Sequence, residues 1–125
     1  MKDESRLTFE EKEMNEEERQ FLLTAVWLFM RHGRRDRALS VCEAVYEENP
    51  RDGIAAAALA ELLLDQGDAE RAVEVLRRAD MPVDLSHAEA VLETRALRLS
   101  GRIAEAASRW NRYLESRKGP ERKWV

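Results

Sequence analysis

The sequence predicts an all-α protein made of three tandem helical hairpins stacked into a short solenoid. Three observations predict it. Gly33, Gly67 and Gly101 are spaced by 34 residues each time. Around each glycine the same register recurs: Phe29, Leu63 and Leu97 four residues before it, Ala38, Ala72 and Ala106 five after it, then Cys42, Leu76 and Trp110, then Val45, Ala79 and Tyr113. Finally, charged residues make up 37% and hydrophobic residues 44% of the 125 residues, glycine and proline are sparse, and no stretch alternates cleanly enough for a strand.

The elements follow in order. A helix is expected over 16–32, where the run Phe21 to Met30 holds nine apolar residues and Thr24 and ends at Gly33. A left-handed cap costs glycine least, so each glycine is read as the end of a helix. The second helix, over 35–48, carries Ala38, Cys42 and Val45 on one face and stops before Pro50. The third, over 53–66, is alanine-rich between Ile54 and Leu64, which predicts close packing of its axis. The fourth, over 69–79, repeats the small residue at Ala72 and stops short of Pro82. The fifth spans 84–100, with Ser86 and Glu89 spaced as a capping box. The sixth spans 102–117, with Trp110 and Tyr113 on its inner face and Pro120 beyond. Residues 1–15 read as an acidic extension, 16–118 as the repeat domain (about 19–52, 53–86 and 87–118), and 119–125 as a basic tail.

A 34-residue period in this register resembles the tetratricopeptide repeat, which implies a right-handed solenoid. Three units are the usual minimum for hairpins that cannot bury their faces alone. The chain departs from the family's usual residues at Leu22, Ala56 and Ala90, where a large aromatic is common, and at Val26, Ala60 and Thr94, where glycine is common. In such stacks the first helix of each hairpin lines a concave surface. In this register that surface comprises Gln20, Leu23, Trp27 and Met30, then Ile54, Ala57, Glu61 and Leu64, then Ala88, Val91, Arg95 and Arg98. The segment Phe21–Met30 is apolar all round, so something besides its own hairpin must cover its second face: residues 1–15 in part, or a partner helix or peptide anchored on Trp27 and Met30.

Charge and chemistry narrow the function. Residues 1–20 hold eight acids and four bases, the rest of the chain is balanced, and the tail from Arg117 to Lys123 holds four bases against Glu121. That distribution does not suggest nucleic-acid binding. The run Arg31 to Arg37 sits at a turn, contains Asp36 and lacks interleaved aromatics, so it reads as a solvated turn. Cys42, the single cysteine, falls at a core position and fits a reducing compartment. His32 beside Gly33 serves a helix end. Glu47 and Glu48 fall on a solvated face. No metal-ligand spacing, phosphate loop or nucleophile motif is present, so neither an enzyme nor a cofactor is expected. Ten apolar residues fall short of the roughly twenty that cross a bilayer, and the preceding acidic sequence is the wrong flank for a signal peptide. The cytoplasm is the expected compartment.

A narrower resemblance covers most of residues 19–118. The opening Arg19 to Leu28, the turn Gly33 to Ala38, the close Glu48-Asn49-Pro50 and the ending Tyr113 to Lys118 are similar to the YscY-type chaperones of bacterial type III secretion. That resemblance implies a cytosolic chaperone for a small secreted protein of the YscX type, the complex then engaging the cytosolic domain of the export-gate protein at the inner membrane. The alternatives are a general adaptor or assembly factor with another client, and a chaperone of a needle or translocator subunit. The acidic extension and the Lys123-Trp124-Val125 ending depart from the YscY pattern.

Overall fold

The computed structural model describes residues 13–118, so the expectations placed on residues 1–12 and 119–125 lie outside the described residues. Within them run six α-helices: α1 (Glu16–Arg31), α2 (Arg35–Glu48), α3 (Gly53–Asp65), α4 (Ala69–Arg78), α5 (Ser86–Leu99) and α6 (Ile103–Ser116). They pair as three hairpins, α1 with α2, α3 with α4 and α5 with α6. Each second helix also packs on the first helix of the next hairpin, and α3 touches α5. Among the described residues there is no strand, and the expected all-α class and helix boundaries hold to within a residue or two.

The periodic glycines make the hairpin turns. Gly33, Gly67 and Gly101 have φ of 75°, 85° and 81°. At the first turn Arg34 N–H reaches Phe29 O at 2.8 Å and Gly33 N–H reaches Met30 O at 3.2 Å. The other two turns repeat this pair of bonds, from Asp68 to Leu63 at 2.9 Å and from Arg102 to Leu97 at 2.8 Å. These are Schellman caps, which satisfy helix-end carbonyls with a left-handed residue that only glycine adopts without strain. The N-termini are capped less uniformly. Asn15 accepts from Glu18 N–H while the Glu18 carboxylate accepts from Asn15 N–H, a full capping box. Asp52 accepts from Ile54 and Ala55 N–H, and Asp68 from Arg71 N–H.

The capping box expected at Ser86 does not form. A 3₁₀ turn, Val83–Leu85, leads into α5, and Ser86 already has helical dihedrals (φ −62°, ψ −34°). An N-cap needs an extended backbone, so the chain is already inside the helix at the residue that would cap it.

The core centres on α3. Ala55, Ala56, Leu59, Ala60, Leu62, Leu63 and Leu64 are all buried, because this helix has a hairpin on either side. Its close packing extends to Gly53: a Cβ there would lie 2.7 Å from Asp80 O and 3.0 Å from Met81 Cα. Asp80 N–H in turn bonds Arg51 O at 2.8 Å, tying the connection after α4 to the start of α3. By contrast α1, although apolar all round, buries only Val26 fully.

Among the described residues, Glu93 and Arg109 are the buried charged side chains of the stack. Glu93 is 5% exposed and accepts from Arg77 Nε at 2.7 Å and from Arg109 Nε at 2.6 Å. Burial works to raise its pKa, but the two guanidiniums outweigh burial and hold the carboxyl below its usual range. Arg77 belongs to α4, so this cluster joins the second and third hairpins. The first two are joined by Arg71 with Glu43 at 2.6 Å and Arg19 with Asp52 at 2.6 Å.

Candidate protein-binding site

The twelve residues expected on the concave face fall on α1, α3 and α5 as the period requires, but with different exposures. Trp27 (54%), Ile54 (46%) and Val91 (40%) stand at the surface. Gln20, Glu61 and Arg98 are exposed too, while Leu23, Met30, Ala57, Ala88 and Arg95 are half-buried. Leu64 is the exception. It is 5% exposed and part of the core, because α3 is enclosed between two hairpins, so the face has no Leu64 surface to offer.

The two ends of this strip differ chemically. At the first hairpin the Trp27 ring is covered on one face by the Arg31 guanidinium, 4.8 Å from the ring centre. That places an amphipathic aromatic on the surface with a cation beside it. At the third hairpin Val91, Thr94, Arg95, Arg98 and Trp110 line a shallow cavity of about 350 Å³. The Thr94 hydroxyl there is buried with no hydrogen-bond partner. Among the described residues neither Arg95 nor Arg98 is paired with a carboxylate. Two free guanidiniums and an orphan hydroxyl around an apolar floor suit a carboxylate held beside an apolar group.

A second surface was only half visible in the sequence. At the outer edge of the first hairpin Glu13, Met14, Glu17, Glu18, Phe21, Leu22 and Glu48 line an open cavity of about 700 Å³. Phe21 is 71% exposed and Leu28 45%. The all-round apolar character of α1 thus resolves into two surfaces: Trp27 and Met30 toward the concave side, Phe21 and Leu28 toward the outer edge.

The remaining candidates take structural places. Cys42 is wholly buried, and burial, with the Glu43 and Asp52 charges, pushes its thiol up to about 12; a thiol so high is not a nucleophile near neutral pH. His32 is the C-cap of α1 through its backbone N–H. Glu47 and Glu48 are exposed, and Glu48 accepts from Met14 N–H at 3.1 Å. His87 contacts the Tyr113 hydroxyl through Nδ1 at 2.9 Å. Among the described residues no group of three or more His, Cys, Asp or Glu side chains is placed to hold a metal ion. No helix among them is long and apolar enough to cross a membrane.

Residues 29–92 match the sequence model of a family described as tetratricopeptide repeat. A comparison with curated proteins finds no match.

Proposed function

The chain belongs to the tetratricopeptide repeat family, and on that premise we propose that it is a cytosolic chaperone of a bacterial type III secretion system, holding a small secreted partner of the YscX type on the concave face of α1, α3 and α5. Membership of the family suggests a protein-binding adaptor role, typically without catalysis. The observation that carries the choice of surface is the strip itself. Trp27, Ile54 and Val91 stand on three successive first helices, each at a different position of the concave-face register, and all remain exposed. Large apolar side chains left at the surface of a concave stack mark an interaction site. The client fitted to it is an amphipathic segment with an apolar group for Trp27 and an acidic residue for Arg95 and Arg98. The narrower identity is supported by the likeness of Arg19–Leu28, Gly33–Ala38, Glu48–Pro50 and Tyr113–Lys118 to the YscY type. On this reading the client complex is delivered to the cytosolic domain of the export-gate protein. A general adaptor with another client is the second reading, favoured by the breadth of the family match.

Affinity purification from the native host, with mass spectrometry of what is retained, tests the identity. Retention of a small secreted protein of the YscX type is expected; a different client retained reproducibly leaves the adaptor reading and ends the secretion one. Isothermal titration with that client tests the surface. Trp27→Ala should lower affinity by about thirtyfold or more, as a central aromatic does, with its unfolding temperature kept. Unchanged affinity in a folded variant refutes the concave face.

A further inference from the structure

The outermost surfaces of the stack are the two halves of one junction. Inside the chain, each hairpin presents its second helix to the first helix of the next. At the first junction Cys42 (0% exposed) donates its thiol toward Ala55 O at 3.6 Å, with Tyr46 (6%), Ala55 (0%) and Leu62 (2%) buried around it. The second junction buries Leu76 (1%) and Ala96 (0%) at matching register positions. One period on from Leu76 stands Trp110, and two periods on from Tyr46 stands Leu114, 41% exposed on the outer side of α6. One period back from Ala55 and Leu62 stand Phe21 and Leu28, 71% and 45% exposed on the outer side of α1. Ile103, one period on from the buried Ala69, is 58% exposed. Repeat arrays that end at their terminal hairpins carry polar outer faces there. This chain carries large apolar residues at both ends.

The charges at the two ends are opposite. Glu13, Glu17, Glu18 and Glu48 line the cavity at the α1 end. Arg112, Arg117 and Lys118 lie at the exposed C-terminal end of α6. Successive helices of the stack run antiparallel, so a first helix added after α6 would bring its acidic first turn beside that basic end. The sense of the helix dipoles favours the same pairing.

We propose that a second copy of this chain docks head to tail, the α1 outer face of one copy (Phe21, Leu28) on the α6 outer face of the next (Ile103, Leu114), continuing the solenoid. The contact is heterologous, so it propagates instead of closing at a dimer. It leaves the concave face free and makes that face longer. This inference stands on the end faces and the repeat register, not on the identity of any client.

Sedimentation velocity on the full chain, from micromolar to millimolar concentration, tests it. Mass should rise from 14.5 kDa through a series of larger species, and high salt should weaken the series because the rim is ionic. Phe21→Glu and Ile103→Glu each spoil one end at an exposed position, so each variant should stay folded by circular dichroism and sediment as a monomer. An equimolar mixture of the two retains one intact junction, and should form a species of twice the monomer mass that grows no further. Trp27→Ala should leave the association unchanged. A native chain that is monomeric throughout overturns the proposal, as its own terminal segments covering the faces would produce. So does a mixture that stays monomeric, or loss of association in Phe21→Glu alone, which would mean a symmetric dimer through the α1 face.

Discussion

Replacing Glu93 with leucine probes the buried ionic cluster between the second and third hairpins. Leu59 holds the matching position in the second hairpin, so the shape of the substitution is already accommodated by this fold. What it removes is the common partner of two guanidiniums. Arg77 is 46% exposed along its side chain and turns to solvent at little cost, but the Arg109 side chain is only 10% exposed. Its nearest remaining carboxylate is Glu89, at 3.9 Å. Stranding a buried charge costs about 3–5 kcal/mol; the Glu89 contact and the freed Arg77 place Glu93→Leu at the lower end, about 3 kcal/mol. In a thermal melt of a domain this size that is a fall of roughly 10–15 °C. Adding Arg109→Val reproduces the apolar pair Leu59 and Val75 of the second hairpin, and should return stability to within about 1 kcal/mol of the native chain, since replacing a whole buried ion cluster is close to neutral. Urea denaturation of the three proteins at neutral pH measures both steps. The native chain should also lose its advantage over Glu93→Leu in acid. The folded carboxyl takes up its proton less readily than the unfolded one, so its contribution is full above the ordinary value of 4.5 and disappears as pH falls through the lowered folded value. A single-variant cost below about 1 kcal/mol, or a double variant no better than the single, refutes the reasoning.

Two further outcomes are expected. Gly53→Ala should destabilise the protein by about 1–3 kcal/mol, because the added methyl meets the Asp80 carbonyl at 2.7 Å and fixed backbone cannot give way as a side chain would; a variant with native thermal stability would show that the connection after α4 yields. The Cys42 thiol should resist an aromatic disulfide reagent at neutral pH in the folded protein and react promptly in urea, given its complete burial and a pKa of about 12. Rapid labelling of the native chain would contradict that burial.

The sequence announced the hairpins because their turns have a strict conformational demand. Only glycine adopts the left-handed cap cheaply, so Gly33, Gly67 and Gly101 carry the period openly. The same period ordered α1, α3 and α5 and brought eleven of the twelve concave-face candidates to partly or fully accessible positions. Leu64 was misplaced because register gives the direction of a side chain and not how much neighbouring structure lies over it. Ser86 and Glu89 have the spacing of a cap, yet backbone bonds from Pro82 onward had already begun the turn. Gly53 has no counterpart in the repeat, since Arg19 and His87 hold the matching positions; its need for close approach exists only once Asp80 is folded against it. The Glu93 cluster had a faint signal: a carboxylate where the other hairpins have Ala25 and Leu59, with Arg109 where they have Val41 and Val75.

Three hairpins of one period are near-copies, and nothing in their apolar register alone forbids the third from folding onto the first. The ionic cluster does. Arg77 in the second hairpin corresponds by register to Glu43 in the first. If the third hairpin stacked on the first, the buried Glu93 carboxylate would face another carboxylate where it now faces a guanidinium, and Arg71 would be left without the Glu43 it binds at 2.6 Å and 2.8 Å. Two carboxylates brought together at a partly buried contact repel, which disfavours the misordered chain. The charges between hairpins thus act as an address, written once into each unit, by which interchangeable parts assemble in a single order.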